Sequence, residues 1–170
     1  SIRRLPQLGT RGRAIVREDT GATVRLCGVN LSGLEYSEPG KLGFLRASKI
    51  TREEVLRLTQ ELGANILRLP FNQDWALHGR GEFTAEDYLT ALDEVIGWAV
   101  EGGAYALLDL QWLDADNPRG GPRQFVAPLP DAGSIAVWNR LAMRYRGCPS
   151  VLYDIFNEPH DRLPGDPFPL

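Results

Sequence analysis

Apolar residues recur along this chain in two ways, at the period of an α-helix and in short unbroken runs. Thr51 begins a capping box, and after it Val55, Leu58 and Leu62 recur at intervals of three and four residues. That spacing places the three side chains on one face of a helix, and Gly63 then suits the position that ends it. The pattern therefore predicts a helix that begins at Thr51.

The same periodicity predicts two more helices further along the chain. One begins at Thr84 and stops at a glycine pair, and its apolar face is formed by Leu89, Leu92, Val95, Ile96 and Ala99. The other begins at Asp131 and extends to about Tyr145. Trp98 and Trp138 lie within these two helices, where we expect them to pack in the core.

Unbroken apolar runs predict β-strands that are buried on both faces of a sheet. They lie at residues 23–30, 65–70, 105–110 and 151–156. Before the first run, residues 13–18 and the turn-forming residues 19–21 predict a hairpin that leads into it. The stretch 32–48 contains glycine and proline and predicts a long loop. Cys27 lies inside the first run, so we expect a buried thiol there.

Predicted strands and helices alternate, which indicates an α/β fold with a parallel sheet and right-handed crossovers. Two architectures fit this order: an open doubly wound sheet, or part of a TIM (β/α)8 barrel. A nucleotide-binding doubly wound domain needs a glycine-rich phosphate loop after its first strand, and residues 30–34 do not form one. That absence weakens the nucleotide-binding alternative.

Composition places the chain among soluble globular proteins. Its 170 residues are 43% hydrophobic and 24% charged, with a net charge of −3, so no basic surface for nucleic acid or anionic lipid is expected. No apolar segment approaches the roughly 18 residues of a membrane helix, and there is no signal-peptide core. The two histidines, His78 and His160, and the two cysteines are isolated, so no metal or cofactor is expected.

Polar residues end every predicted strand, and barrel enzymes carry their chemistry at the carboxyl ends of their strands. These residues are Asn30, Arg68, Asn72, Asp109, Gln111, Asn157 and Glu158. Tyr36, Trp75 and Trp112 follow closely, and polar groups beside aromatic rings suit a flat, hydroxyl-rich ligand such as a sugar. For Trp75 and Trp112, sugar stacking and ordinary packing are equal alternatives.

Glu158 is the strongest catalytic candidate. It directly follows an apolar strand and precedes Pro159, so we expect its carboxyl to be held in place. Partial burial would raise its pKa enough for proton donation near neutral pH. The alternative is a carboxylate that caps a turn or pairs with a surface arginine.

Arg68 lies inside an apolar strand, and a buried arginine needs an acidic partner. Either a salt bridge with an acid such as Asp109 or a place in the functional site would meet that need. Asp109 itself is interpreted as a structural acid below the mouth of the sheet. Asn30 either belongs to the site or bonds the backbone of a loop.

Short motifs lie on each of the predicted strands, at residues 28–30, 65–71, 108–110 and 156–160. Together and in this order they resemble glycoside hydrolase family 5, the cellulase-like (β/α)8 barrels. The similarity runs from about residue 13 to residue 160. It implies a partial TIM barrel with about four parallel strands, three helices and an N-terminal β-hairpin over the barrel floor.

This resemblance implies a retaining, endoglucanase-like hydrolase of β-linked glycans that is secreted and needs no cofactor. Glu158 is then the catalytic acid/base, Asn157 binds the 2-hydroxyl of the cleaved sugar, and Arg68 orients the nucleophilic glutamate. The implied partner is an oligo- or polysaccharide, with no nucleic acid and no membrane. Its further contacts are Asn30, Tyr36, Trp75, Gln111 and Trp112.

Two features depart from the family pattern. Gln111 stands where the family has a histidine, so no proton-sharing role is expected there. The sequence ends 12 residues after Glu158, before the seventh strand that carries the family's nucleophile. Residues 1–170 are therefore interpreted as the N-terminal part of one incomplete catalytic domain, inactive alone. The alternative is a non-catalytic half-barrel that binds carbohydrate, or pairs with its missing C-terminal half or a second copy.

Overall fold

The structure is a computed structural model that describes residues 5–113 and 129–159. Its strands are β1 (Leu8–Arg11), β2 (Ala14–Arg17), β3 (Gly28–Asn30), β4 (Ile66–Asn72), β5 (Tyr105–Trp112) and β6 (Val151–Asp154). Its helices are α1 (Phe44–Ser48), α2 (Arg52–Leu56), α3 (Gln73–His78), α4 (Ala85–Glu101) and α5 (Ala132–Arg144), and a π-helical turn, Arg57–Glu61, continues α2. Strands and helices therefore alternate after the N-terminal hairpin, as the hydrophobic pattern predicts.

The strands β3, β4, β5 and β6 form one parallel sheet in chain order, and β1 and β2 form a separate antiparallel hairpin. A doubly wound sheet reverses its strand order at a switch point, whereas the strands of a barrel follow one another around its axis. The described strands show no reversal. This order confirms the prediction of a partial barrel.

The core lies on the face of the sheet that the helices cover. Leu67, Leu69 and Phe71 of β4 are fully buried, as are Leu108 and Leu110 of β5. The apolar stripe of α4 packs into the same core. Because side chains alternate along a strand, the residues between these apolar ones point to the opposite face of the sheet.

Predicted helix starts are confirmed at all three capping residues. Thr51 accepts a hydrogen bond from the backbone N–H of Glu54 at 3.2 Å. Thr84 and Asp131 each begin a helix with a reciprocal capping box. A side chain that satisfies free N–H groups at a helix start stabilises that helix by about 1 kcal/mol. Because this interaction lies within one helical turn, the capping residues predict the helix starts correctly.

The first strand of the sheet differs from its prediction. Only Gly28–Asn30 of the predicted run 23–30 is a strand, and all of its residues are exposed. The reason is that β3 is the outermost strand of the described sheet, so no neighbouring strand covers its free side. The prediction of a buried thiol at Cys27 is wrong for the same reason, since this cysteine is exposed.

The N-terminal hairpin also pairs differently from its prediction. The predicted arm 13–18 corresponds to β2, but its partner is the preceding strand β1 and not the run that follows. A bridge between Val16 and Thr23 is what remains of the predicted pairing. Gly12 turns the chain between the two strands with φ 60°, a left-handed conformation that glycine adopts without steric cost.

Three boundaries differ as well. The second strand continues through Pro70 to its end at Asn72, and the predicted loop 32–48 contains the helix α1. Leu62 is 71% exposed, because the π-helical turn before it rotates the following residues out of the α-helical register. No helix in the two described ranges is long and apolar enough to span a membrane.

Candidate active site

The register of the sheet places several polar side chains on one face. Asn30 is the cross-strand partner of Arg68, and Asp109 is the partner of both Pro70 and Asp154. Residues 68 and 70 share a face because they are two apart on one strand, and cross-strand partners share a face as well. Asn30, Arg68, Asp109 and Asp154 therefore all lie on the face opposite the helix-covered core.

Arg68 joins all four strands of the parallel sheet. Its Nε donates to Oδ2 of Asp154 at 3.1 Å, and its Nη1 donates to Oδ1 of Asn30 at 3.0 Å. Nη2 donates to Oδ1 of Asn157 at 3.0 Å and lies 3.0 Å from Oδ1 of Asp109. The side chain of Arg68 is 28% exposed, so this cation lies at the open mouth of the sheet and not deep within it.

Asp109 is the buried acid of this group. It is fully buried, and none of the described residues makes a hydrogen bond of good geometry with its carboxylate oxygens. Burial raises the pKa of Asp109 to about 7, although the charge of Arg68 acts to lower it. Asp154, Glu35 and Glu158 raise the same pKa by charge repulsion. Of the two alternatives for Arg68, the salt bridge with Asp109 is present, at 3.0 Å.

The residues after β6 are fixed from two sides. The backbone N–H of Asn157 donates to the carbonyl of Leu110 at 3.0 Å, and its side-chain oxygen accepts from Arg68. Glu158 follows with φ 48°, a left-handed conformation that is uncommon for a residue with a side chain. Its carboxylate is among the charges that act on Asp109, so both acids belong to one electrostatic neighbourhood.

Glu158 is exposed, so the partial burial on which its proton donation would depend is not seen in the described part of the chain. The reason is its position beyond β6, which is the outermost described strand on that side of the sheet. Its chain neighbour Asn157 accepts a hydrogen bond from Arg68 beyond the carboxyl end of β6. Its motif neighbour His160 lies outside the described residues.

Two of the predicted aromatic residues come together at the mouth of the sheet. The ring centroids of Tyr36 and Trp112 are 6.4 Å apart with an interplanar angle of 45°. Tyr36 is 51% exposed, and it reaches this place from the loop after β3, whereas Trp112 ends β5. Tyr36 is the accessible ring of the pair, and Trp112 is half-buried.

Trp75 does not belong to this surface. It lies on α3 with only 1% exposure and packs against Phe44 and Tyr88, with ring centroids 5.5 Å and 5.8 Å away. The predicted sugar contact of Trp75 is wrong, because the chain turns into a helix directly after β4 and directs this side chain into the core. Trp98 and Trp138 pack against the core as predicted.

Asn72 supports the site without facing it. This fully buried residue caps α3, since its Oδ1 accepts from the backbone N–H groups of Asp74 and Trp75 at 3.0 Å and 3.3 Å. Its Nδ2 donates to the carbonyl of Glu35 at 3.1 Å, and the hydroxyl of Tyr88 donates to the carbonyl of Leu34 at 3.0 Å. These bonds anchor the loop that carries Tyr36.

Gln111 lies at the rim of the sheet. The register shifts after Phe71, so that Asn72 pairs with Trp112 and Gln111 has no cross-strand partner on β4. Gln111 is half-buried, and its amide provides a donor and an acceptor at the strand end. Among the described residues, no group of three or more histidine, cysteine or acidic side chains is placed to hold a metal ion.

Two acids of the site were not predicted from the sequence. Asp154 interrupts the apolar run of β6 as Arg68 interrupts that of β4, so the same signal was present at both positions. Glu35 is buried, its pKa is raised by burial, and its Oε2 accepts from the backbone N–H of Gly33 at 2.7 Å. Nothing in the pattern of the loop around Glu35 indicates that burial.

The arrangement has a definite chemical character. One fixed guanidinium, two amide side chains and several carboxyl groups converge at the strand ends, and the exposed Tyr36 with the half-buried Trp112 lies at the same end of the sheet. Such a surface offers many hydrogen-bond donors and acceptors to a neutral polyhydroxyl ligand, together with ring faces for stacking. Its acids can also exchange protons with that ligand.

Comparisons with known proteins agree with this character. Residues 18–165 match the family model for cellulase (glycosyl hydrolase family 5). Manganese dependent endoglucanase Eg5A of Phanerodontia chrysosporium is 27% identical over 147 residues, 83% of this chain and 36% of that protein. Endoglucanase 1 of Saitozyma flava is 30% identical over 147 residues, 81% of this chain and 40% of that protein.

A solved structure gives the same result for the fold. The β-glucanase SdGluc5_26A of Saccharophagus degradans, in complex with cellotetraose, has a TM-score of 0.65 and 25% identity, over 95% of this chain and 47% of that one. This chain thus spans less than half the length of each of these relatives. The family match includes the whole parallel sheet and every residue of the site. The chain therefore belongs to glycosyl hydrolase family 5.

Proposed function

We propose that this chain carries the acid/base half of the active site of a retaining endo-β-glucanase. The observation that supports the proposal most directly is the hydrogen bond from Arg68 to Asn157, which fixes the residue before Glu158 at the strand ends. The carboxyl of Glu158 follows at the exposed rim, at the same end of the sheet as Tyr36 and Trp112. An acid beside a sugar-stacking surface is what glycosidic cleavage requires.

In the proposed reaction, Glu158 gives its proton to the glycosidic oxygen as the bond between that oxygen and the anomeric carbon breaks. A second carboxylate attacks the anomeric carbon from the opposite face and holds the sugar as a glycosyl ester. Glu158, now ionised, takes a proton from water, and the water oxygen displaces the ester to release the sugar with retained configuration. We place the second carboxyl, about 5 Å from Glu158, outside these 170 residues.

The contacts of Arg68 support a place for that second carboxylate. A guanidinium has five N–H groups. Three of them donate to Asp154, Asn30 and Asn157, and Nη2 also lies 3.0 Å from Oδ1 of Asp109. The second N–H of Nη1 has no acceptor among the described residues. A carboxylate that accepts from it would be held ionised, as a nucleophile must be.

A β-linked glucan is the proposed substrate. Two relatives are endoglucanases, and SdGluc5_26A was solved with cellotetraose. The pair of Tyr36 and Trp112 offers apolar ring faces for the C–H face of a pyranose, and the amides of Asn30 and Asn157 offer hydrogen bonds to its hydroxyls. This combination supports a neutral glycan chain over a charged substrate.

The two outer edges of the sheet, which have no pairing strand among residues 5–113 and 129–159, support a longer catalytic domain. Val29 on β3 is 44% exposed, and Ile155 beyond β6 is 68% exposed. Unpaired strand edges with exposed apolar side chains promote aggregation unless further chain covers them. We therefore propose that residues 1–170 are the N-terminal part of one (β/α)8 domain whose remaining strands pair with β3 and β6. Secretion belongs to the same proposal and rests on the family resemblance alone.

The same outer edges favour one other function, a non-catalytic half-barrel that binds carbohydrate and pairs with a second copy. Two copies offer eight parallel strands, the number that closes this type of barrel. Sedimentation velocity on the 170-residue chain separates the two cases. A monodisperse dimer supports self-pairing, whereas a monomer or a polydisperse aggregate supports the longer domain.

The test of the proposed function compares this chain with a longer polypeptide that continues through the remaining strands. Both are incubated with β-glucan, mannan and xylan, and the products are followed by proton NMR. We expect the longer polypeptide to hydrolyse β-glucan and to release the β-anomer first, because double displacement retains configuration. We expect the 170-residue chain to release nothing. Early α-anomer, or no hydrolysis of β-glucan by the longer polypeptide, would contradict the proposal.

A further inference from the structure

We propose that Asp109 is a positioning residue of this site, which acts on the sugar through Arg68 and the two asparagines without contacting the sugar itself. The consequence for sugar binding rests on the proposed function, whereas the effect on Arg68 does not. Asp109 lies on β5, and the amides of Asn30 and Asn157 lie at the ends of β3 and β6. Arg68 is the group that contacts all three residues.

Arg68 decides which way each of these amides faces. Its N–H groups are donors only, so the amide atom turned toward Arg68 must be the oxygen in both asparagines. The NH2 groups then face away from Arg68. That of Asn30 donates to Oγ of Ser32 at 2.8 Å, and that of Asn157 has no partner among the described residues. A fixed guanidinium therefore presents the Asn157 NH2 group as a donor for a hydroxyl of the ligand.

Asp109 is the acid best placed to hold that guanidinium. Asp109 is fully buried, whereas the other acid on Arg68, Asp154, has 35% of its side chain exposed. Water screens an exposed charge more than a buried one, so the attraction between Arg68 and Asp109 is the stronger constraint on Nη2. The same Nη2 donates to Asn157, which couples the buried acid to the amide at the rim.

The attraction between Asp109 and Arg68 depends on the ionisation of the Asp109 carboxyl. The charged groups that face it are Arg68 on β4, Asp154 on β6, Glu35 in the loop after β3, and Glu158 after β6. Burial and the three acids raise the pKa of Asp109 to about 7, and Arg68 lowers it. The attraction on Arg68 is therefore full above neutral pH and is lost as Asp109 takes up a proton below it.

A first measurement follows Arg68 itself, in the 170-residue chain and without any sugar. The Nε–H cross-peak of Arg68, assigned with Arg68→Lys, is recorded by NMR from pH 5 to pH 9. We expect it to shift with a midpoint near pH 7 in the wild type and to show no such step in Asp109→Asn. A matched control is Asp93→Asn, which removes a carboxylate from Arg144 between α4 and α5 and should leave the step unchanged.

A second measurement tests whether Asp109 affects sugar binding in addition to its neighbour Arg68. Cellotetraose is titrated into the same proteins at pH 8, where we expect binding about tenfold weaker in Asp109→Asn than in the wild type and unchanged in Asp93→Asn. Wild-type affinity should fall as the pH is lowered through 7, and the affinity of Asp109→Asn should not. Equal affinity in Asp109→Asn and the wild type would overturn the inference.

The two measurements fail in different ways. If the 170-residue wild type binds no cellotetraose, the Arg68 cross-peak decides the inference, and the proposed function is decided separately by hydrolysis with the longer polypeptide. If Asp109→Asn does not fold, the wild-type titration alone decides it, and a cross-peak that does not change between pH 5 and pH 9 overturns the proposal. A step that persists in a folded Asp109→Asn protein overturns it as well.

Discussion

Arg68 and Asp109 are charged residues in strands whose other members are mostly apolar. That contrast makes Arg68 a candidate site residue from the sequence, and the same contrast is present at Asp154 on β6. Glu35 gives no such signal, because its burial follows from the anchoring of its loop by Asn72. Single residues are thus predictable where the local pattern is broken, and not where a distant contact buries them.

The stability of the fold should depend on pH through Asp109. Its pKa is raised from 3.8 to about 7, so between these values the folded state binds more protons at this group than the unfolded state does. The free energy of unfolding therefore falls as the pH rises from about 4 to 7, by at most about 4 kcal/mol from this group. Asp109→Asn, which cannot ionise, should lack this component in urea unfolding at pH 5 and pH 8.

The quantity compared is the change in the free energy of unfolding between pH 5 and pH 8 in each protein, since the other acids contribute equally to both. We expect Asp109→Asn and the wild type to be similar in stability at pH 5, and the variant to be the more stable at pH 8. A variant that loses the same stability as the wild type between these two pH values would mean that Asp109 is not the buried acid described above. The ionised Asp109 lowers the free energy of unfolding while it attracts Arg68. Such a loss of stability at a functional site is common in proteins.

At the scale of helices and strands, a prediction is confirmed where it depends on residues close in sequence and is wrong where it depends on distant ones. Helix starts at Thr51, Thr84 and Asp131 depend on side chains within one turn, and all are confirmed. The burial of β3 and the exposure of Trp75 depend on which elements lie next to them, and both predictions are wrong. Sequence patterns describe an element well and its neighbours poorly.

The start of α5 offers a test of a cap that also joins two helices. Oδ1 of Asp131 accepts from the backbone N–H of Ser134 at 3.0 Å and from Nε2 of the buried Gln73, on α3, at 2.8 Å. Asp131→Ala should lower the free energy of unfolding by about 2 kcal/mol, because it removes the cap and leaves a buried amide donor without its partner. Chemical denaturation measures this loss.

Two substitutions serve as controls for that prediction. Asp131→Asn keeps an oxygen at the same position and should cost much less than Asp131→Ala. Thr84→Ala removes the exposed cap of α4 without stranding a buried group, so it should cost about 1 kcal/mol. If Asp131→Ala costs no more than Thr84→Ala, the contact with Gln73 contributes nothing to stability.

At the scale of the whole molecule, the strand order and the family match both describe part of a barrel. The sequence predicts the parallel sheet because strands and helices alternate, and it predicts the functional end because polar residues follow the strands. It does not predict the exposed position of Glu158, since the burial of a rim residue depends on chain that packs beyond β6. The proposed catalytic role of Glu158 is therefore a statement about the longer domain.

The most direct test of that role is Glu158→Ala in the longer polypeptide, assayed with aryl β-cellobiosides whose leaving groups differ in pKa. Without an acid, turnover of a poor leaving group should fall about 10²- to 10⁴-fold, whereas dinitrophenolate, which leaves without protonation, should be affected much less in the first step. Added azide should restore turnover and form a β-glycosyl azide, because it needs no general base. Equal losses for both leaving groups without rescue by azide, or near wild-type turnover, would contradict the account.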